Sequence, residues 1–493
     1  MKIAFQQFSN NSSLSKNPVL ADAIKNLPSM LFIASYAFGI AILYTRIFRA
    51  DEYGQYSFYV ALAGPTIMAL AEWIAQPISR YYSEYKTNNS LDILWHTLTF
   101  FVAGLLMFFV VGISAIWYFL STKTNDLPMY YIIPTICIVV LQSLTSILLP
   151  IFPSSFRARI WRNITAFTPI LATLITLGLI YFSGKHAFYI LYGQAVALAV
   201  FLPLVIYLSG WKIKLHHLSL TPVVKATVTR MANYGIPMML WFFSSNMLDV
   251  GDRLLLHWFR SEKELGVYAV SYSMMGGIVA LLNLPINVAI GPVLYNFWSQ
   301  GKRREAAESI FDMSRMYIYL ASMLTVTVSL FGPVLLTQLL GKDFRSGVDI
   351  IIPIMLARMV WGISMIGQKT LELNEKTKQL MQLALWSALA NTLLNLVLIP
   401  RYGIYAAALT TLLCNILYGY LVYKSSLNIM AWRIQFSSVV KPILVSCTVL
   451  AMCFVSQRLG YSNLYLNVVV EFAAVAAIIV SFFDSGKKVK PRD

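Results

Sequence analysis

The sequence predicts an all-α polytopic membrane protein of about 14 transmembrane helices, two pseudo-symmetric six-helix lobes followed by a C-terminal helix pair. Three observations predict it. Of the 493 residues 58% are hydrophobic and 12% charged, with mean hydropathy +0.67, whereas a soluble domain carries about 25% charge. The apolar residues run unbroken for about 20 residues at a time, the length a helix needs to cross about 30 Å of hydrocarbon, without the alternation of a membrane barrel. Finally, the chain repeats itself after about 210 residues. Soluble enzymes, secreted disulfide scaffolds and disordered regulators are excluded.

A polar cytoplasmic segment, residues 1–26, opens the chain and lacks the early apolar stretch of a signal peptide. The first lobe, 27–208, holds apolar runs at 27–48, 55–78, 93–120, 130–150, 164–183 and 187–208. A cytoplasmic loop, 209–233, leads to the second lobe, 234–424, with runs at 234–256, 266–293, 309–334, 347–368, 378–399 and 403–423. The extra pair, 437–457 and 464–483, lies in 437–483, and a basic cytoplasmic tail, 484–493, closes the chain. With a cytoplasmic N-terminus, 24 Lys and Arg fall in loops on that side and ten on the other. That bias supports an even number of spans and two cytoplasmic termini. It also accounts for the net charge of +17 without nucleic acid, which would need a contiguous basic patch.

The repeat pairs Phe48-Arg49-Ala50-Asp51-Glu52-Tyr53-Gly54-Gln55-Tyr56 with Phe259-Arg260-Ser261-Glu262-Lys263-Glu264-Leu265-Gly266-Val267-Tyr268, allowing one insertion. Pro28 and Pro237 stand at nearly the same offset and are expected to open the first and seventh helices, where proline costs no hydrogen bond. An even number of spans separates the copies, so both halves share one orientation. Parallel repeats in transporters place the substrate site at their interface.

No nucleotide-binding G-x-x-x-x-G-K-[ST], H-E-x-x-H, paired C-x-x-C or G-x-S-x-G occurs, and no connecting loop is long enough for an extramembrane catalytic domain. The chain is therefore read as no enzyme, with no cofactor and no metal. Cys137, Cys414, Cys447 and Cys453 fall in apolar runs and read as small core residues.

The candidate site residues are ionisable groups within spans, each costing about 2.5–3.5 kcal/mol at a helix centre on insertion scales. The seventh span carries Asn246, Asp249, Asp252 and Arg253. Asp249 and Arg253 share a face, either as a self-neutralising pair or as the wall of a charged cavity. Arg358 sits mid-span with no acid within a turn, so its compensation must come from another helix or a ligand, and its planar fork suits diphosphate oxygens. Glu72, whose neighbours Leu70, Ala71, Trp73 and Ile74 offer no partner, reads equally as a proton carrier or a helix–helix hydrogen bonder. Arg46 and Lys441 lie near span ends, where snorkelling competes with a cavity role. The abundant aromatics fit an interfacial belt as well as stacking on sugar rings.

Four stretches carry a family resemblance. They are Arg46-Ile-Phe-Arg-Ala-Asp-Glu-Tyr-Gly54-Gln-Tyr56-Ser, Asn246-Met-Leu-Asp249-Val-Gly-Asp252-Arg253-Leu-Leu-Leu, Leu340-Gly341-Lys342-Asp343-Phe344, and Asn391 to Ala408 across helices eleven and twelve. In order and spacing they resemble the polysaccharide-export flippases, including the Wzx-type O-antigen flippases. That superfamily also holds multidrug extrusion transporters and lipid II flippases. The resemblance implies two lobes around a cavity that opens alternately to either side of a bacterial inner membrane. It implies a substrate of oligosaccharide on polyprenyl diphosphate, moved from the cytoplasmic to the outer leaflet amid membrane lipids, with a polysaccharide polymerase and a chain-length regulator as partners. Asp249, Asp252 and Arg253 match family positions; Glu72, Arg358 and Lys441 rest on burial cost alone. The alternatives are a multidrug or cation antiporter, a lipid II flippase and, more remotely, a membrane polymerase or glycosyltransferase.

Overall fold

The computed structural model describes residues 32, 35–121, 128–155, 157–212, 221–430, 436–458 and 464–487. Among these the regular elements are helices: α1 (35–47), α2 (Ala50–Thr87), α3 (Leu91–Ser121), α4 (Met129–Leu148), α5 (Ala158–Ser183), α6 (Phe188–Ser209), α7 (Pro222–Phe259), α8 (Glu262–Ser299) and α9 (Arg303–Leu339). A 3-10 segment, Lys342–Ile350, leads into α10 (Ile351–Leu373). The stretch Thr377–Leu427 breaks at Gly403 into α11 and α12, and α13 (Phe436–Arg458) and α14 (Leu464–Lys487) follow. The all-α class and the order of passes are those the apolar runs predict. The N-terminal segment 1–26, Pro28 and most of the basic tail lie outside the described residues.

Among the described residues nine helical stretches are long and apolar enough to cross a membrane, Thr377–Leu427 counting as one. Helix α7 is not among them: Asp249, Asp252 and Arg253 lie in its second half, and the charge-free stretch before them is diluted by Asn233, Tyr234, Ser244, Ser245 and Asn246. It also starts earlier than its hydropathy indicates. Thr221 Oγ1 accepts a hydrogen bond from the Val224 amide at 3.3 Å, and Pro222 occupies the first turn, a strong helix start. Residues 222–233, assigned from sequence to the 209–233 loop, are therefore the first turns of α7. Pro237 then lies inside α7 rather than opening it.

The break between α11 and α12 has a local cause. Gly403 adopts φ 55° and ψ −133°, a conformation that a Cβ makes costly. Gly403→Ala is expected to destabilise the protein by about 1–3 kcal/mol, the range for forcing such a backbone on an L-residue. A melting temperature unchanged from wild type would count against this.

By packing, the chain forms two compact units. One consists of Phe48–Gly266 and Thr377–Arg401. In it α2 runs antiparallel to α7 along its whole length, Gly64 facing Asn246, Trp73 facing Gly235 and Glu84 facing Arg230. Helix α4 packs on α2 and α6, and α6 on α5, around a core that includes Ile74, Ile78, Leu94, Leu98 and Phe152. The other unit comprises Val267–Lys376, Tyr402–Asp493 and the residues before Phe48. Its α9 is held by α10, α13 and α14 around Val326, Leu330, Val449 and Ile478. Polar groups join them: Tyr319 Oη donates to the Ser481 carbonyl at 3.1 Å, and Thr327 donates to Glu471 Oε1 at 2.6 Å.

Candidate functional site

In the Val267–Lys376 unit the polar and charged residues of α10 share one face with a tryptophan and a glycine. At 100° per residue Arg358, Trp361, Gly362, Gln368, Lys369 and Glu372 fall within about 120° of one another. The Arg358 guanidinium, half-buried, lies 4.3 Å from the ring centroid of Tyr272 on α8 and against Gly276, one turn further along that helix. The compensation expected from another helix is thus supplied in part by an aromatic face, a contact worth about 0.5–2 kcal/mol according to solvation.

Further along α10, Gly362 meets the hydroxyl of Tyr317, which donates to Asn283 Oδ1 at 2.6 Å. Gln368, only 2% exposed, accepts from the Tyr418 hydroxyl at 2.6 Å and donates to Glu372 Oε1 at 2.8 Å. The other oxygen of Glu372 pairs with Lys369 at 2.6 Å. Trp361 stacks on Tyr418, and Asn415 donates to the Ala357 carbonyl at 3.0 Å. These partners hold α10 by polar contacts that hydrocarbon could not replace, since an unmet polar group there costs several kcal/mol.

In the Phe48–Gly266 unit the ionisable residues of α7 are sheltered. Asp252 is 1% and Arg253 8% exposed, and Asp249 is half-buried. Glu72 is not isolated, contrary to the sequence reading. Its Oε2 accepts from Gln76 Nε2 at 2.8 Å, one turn along α2. Glu72 stands beside the Trp73–Gly235 crossing, so by helical rise it lies about 20 Å along α7 from Asp249. The structure therefore separates Glu72 from the Asp249, Asp252 and Arg253 stripe.

The α2–α7 seam is clamped at both ends. At one end Arg230 makes two 2.7 Å bonds to the Glu84 carboxylate and lies 4.3 Å from the Tyr81 ring, while Arg80 lies 4.6 Å from the Tyr234 ring. At the other, Phe58 of α2 stacks on the His257 ring at 3.7 Å, while His257 Nδ1 meets Glu262 Oε1 and Arg260 pairs with Glu264 in the corner between α7 and α8. Here α2 and the start of α8 cross at Gly54 and Gly266. A Cβ on Gly54 would land on the Glu262 carbonyl oxygen, and one on Gly266 on the Ala50 carbonyl oxygen. Both glycines occupy the same place in the sequence repeat, which was the available signal for this crossing.

Two candidates have other positions. Arg46 is exposed, and its guanidinium donates to the carbonyls of Leu339 at 3.0 Å and Gln338 at 3.4 Å. It closes the C-terminus of α9, where orphan carbonyls and the helix dipole favour a cation. Lys441 is exposed on α13. Of the cysteines, Cys414 is buried as expected, but Cys137 and Cys447 are exposed. Sequence reasoning missed Tyr272, Gln368, Tyr418 and the Glu84–Arg230 clamp, because their partners lie on other helices.

Within the Val267–Lys376 unit, the Arg358 guanidinium beside the Tyr272 ring is a group that can hold an anion. The family model described as "Polysaccharide biosynthesis protein" matches residues 19–298. The chain is 19% identical over 416 residues to "Uncharacterized membrane protein MJ1068" of Methanocaldococcus jannaschii, covering 80% of each. Its fold is similar to that of "Lipid II flippase MurJ, inward closed conformation", with a TM-score of 0.69, 14% identity and coverage of 93% of this chain and 100% of that one. It is also similar to an inward-facing multidrug resistance MATE family transporter of the MOP superfamily, with a TM-score of 0.62, 11% identity and coverage of 81% and 93%.

Proposed function

Because the chain belongs to the polysaccharide biosynthesis protein family, we propose that it is a flippase for polyprenyl-diphosphate-linked oligosaccharide. In this reading it moves the substrate from the cytoplasmic to the outer leaflet of a bacterial inner membrane, for assembly of a surface polysaccharide such as O-antigen, capsule or exopolysaccharide. The observation that carries the reading is Arg358. A guanidinium is kept mid-helix on a polar face of α10, backed by the Tyr272 ring and with a glycine beside it.

The physical obstacle is to carry a diphosphate and several sugars through about 30 Å of hydrocarbon. Arg358 replaces water around the diphosphate by charge-assisted hydrogen bonds. Asp249 and Asp252 accept from sugar hydroxyls or balance the cations, and the lipid tail stays in the bilayer. Alternating access then needs one end of the α2–α7 seam to part while the other holds. The chain performs no covalent step, so an ion gradient or mass action drives the cycle. Both termini are cytoplasmic, and a polymerase and a chain-length regulator act on the delivered substrate.

Deleting the gene tests this. Lipid-linked repeat units are expected to accumulate on the inner leaflet, inaccessible to an impermeant glycan probe until the wild-type gene is restored. Accumulation in the outer leaflet would point to a step after translocation and end the assignment.

A further inference from the structure

Two recesses of the Phe48–Gly266 unit meet at Lys212. One, of about 700 Å³, is a shallow groove open to the surface between α4 and α6, whose apolar wall includes Leu141, Ala199, Leu202 and Ile206. The other, of about 360 Å³, is bordered by Asp92 and His96 at the start of α3 and by Thr221 at the start of α7. Lys212 lines both.

The junction is built by the fold. Pro203 lies inside α6, where its ring removes one backbone hydrogen bond. The small side chain of Ala199, one turn earlier, leaves the space. Helix α6 then ends on Gly210 in the left-handed conformation, φ 72°, which turns the chain back toward α3. Trp211 Nε1 donates to Thr99 Oγ1 at 3.1 Å, and Arg157 Nη1 donates to the Leu208 carbonyl at 2.8 Å. Lys212 is therefore anchored through its neighbour rather than placed on a free loop.

An apolar slot, a cation and a polar recess follow one another in the polarity order of an amphiphile. A soluble anion would leave the slot unfilled, and a plain hydrocarbon would leave the polar recess between Lys212 and Asp92 unfilled. Tyr207 and Trp211 flank the same end, as aromatics do at the level of lipid headgroups. We propose that this site binds one glycerophospholipid of the surrounding leaflet. An acyl chain lies along α4 and α6, the phosphate sits on Lys212, and the headgroup hydroxyls or ammonium face Asp92. The proposal does not depend on the transported substrate.

The test is to purify the full-length protein in detergent, wash it extensively and quantify retained phospholipid by mass spectrometry. Wild type and Lys212→Arg are expected to retain about one phospholipid per chain, and Lys212→Glu about tenfold less. Ala199→Trp, which fills the slot, is expected to lose it too. Retention by Lys212→Glu and Ala199→Trp equal to wild type would mean only belt lipid and overturn the site. Should either variant fail to fold, the wild type is titrated with a brominated phospholipid. Tryptophan quenching that saturates near one lipid per chain supports the site, and quenching that rises without saturation overturns it. In a third arm, displacement of the bound lipid by equimolar polyprenyl phosphate would overturn the phospholipid assignment.

Discussion

Gly54→Leu is expected to abolish surface polysaccharide and to lower the stability of the purified protein by about 3 kcal/mol, the upper part of the range for overpacking. Backbone meets backbone at this crossing, so no side chain can rotate away to make room. Even Gly54→Ala brings its Cβ onto the Glu262 carbonyl oxygen, and Gly266→Ala does the same with Ala50. The two alanine variants should therefore lose a similar amount of stability, read as a drop in melting temperature in detergent. A Gly54→Ala protein that melts and exports like wild type would show that the crossing opens freely.

Arg358→Ala is expected to reduce export roughly ten- to hundredfold, as follows from losing about 1.5–3 kcal/mol of hydrogen bonding to a charged group. Protein abundance in the membrane should stay unchanged, because truncation removes a costly mid-helix charge along with its contact to Tyr272. Arg358→Lys should recover only part of the activity, since an ammonium lacks the planar fork that binds two phosphate oxygens at once. Translocation of a fluorescent lipid-diphosphate glycan in proteoliposomes, scored per molecule of protein, measures both variants. Full activity in Arg358→Ala would remove this residue from the substrate path.

What the sequence discloses follows from the range of the signal. The helical passes are legible because each apolar run is a local property about 20 residues long. The unusual character of α7 and of Arg358 is legible because a charge inside such a run is conspicuous without any knowledge of neighbours. The start of α7 at Pro222 is not, since polar helical turns carry the hydropathy of a loop and only the Thr221 cap betrays them. The Glu72–Gln76 bond is local and was within reach, being a plain one-turn spacing on α2. By contrast, the job of Arg46 depends on carbonyls almost three hundred residues downstream, and Tyr272 meets Arg358 only once α8 and α10 have packed. No local pattern encodes either contact.

The crossing of Gly54 and Gly266 bears on how such a chain is put together. Each glycine touches the residue four positions before the other, which is the reciprocity of an isologous interface, where residue i meets j and j meets i. In a true homodimer a single codon change alters both sides of that axis at once. With the two copies fused in one polypeptide, either side of the crossing can be altered alone.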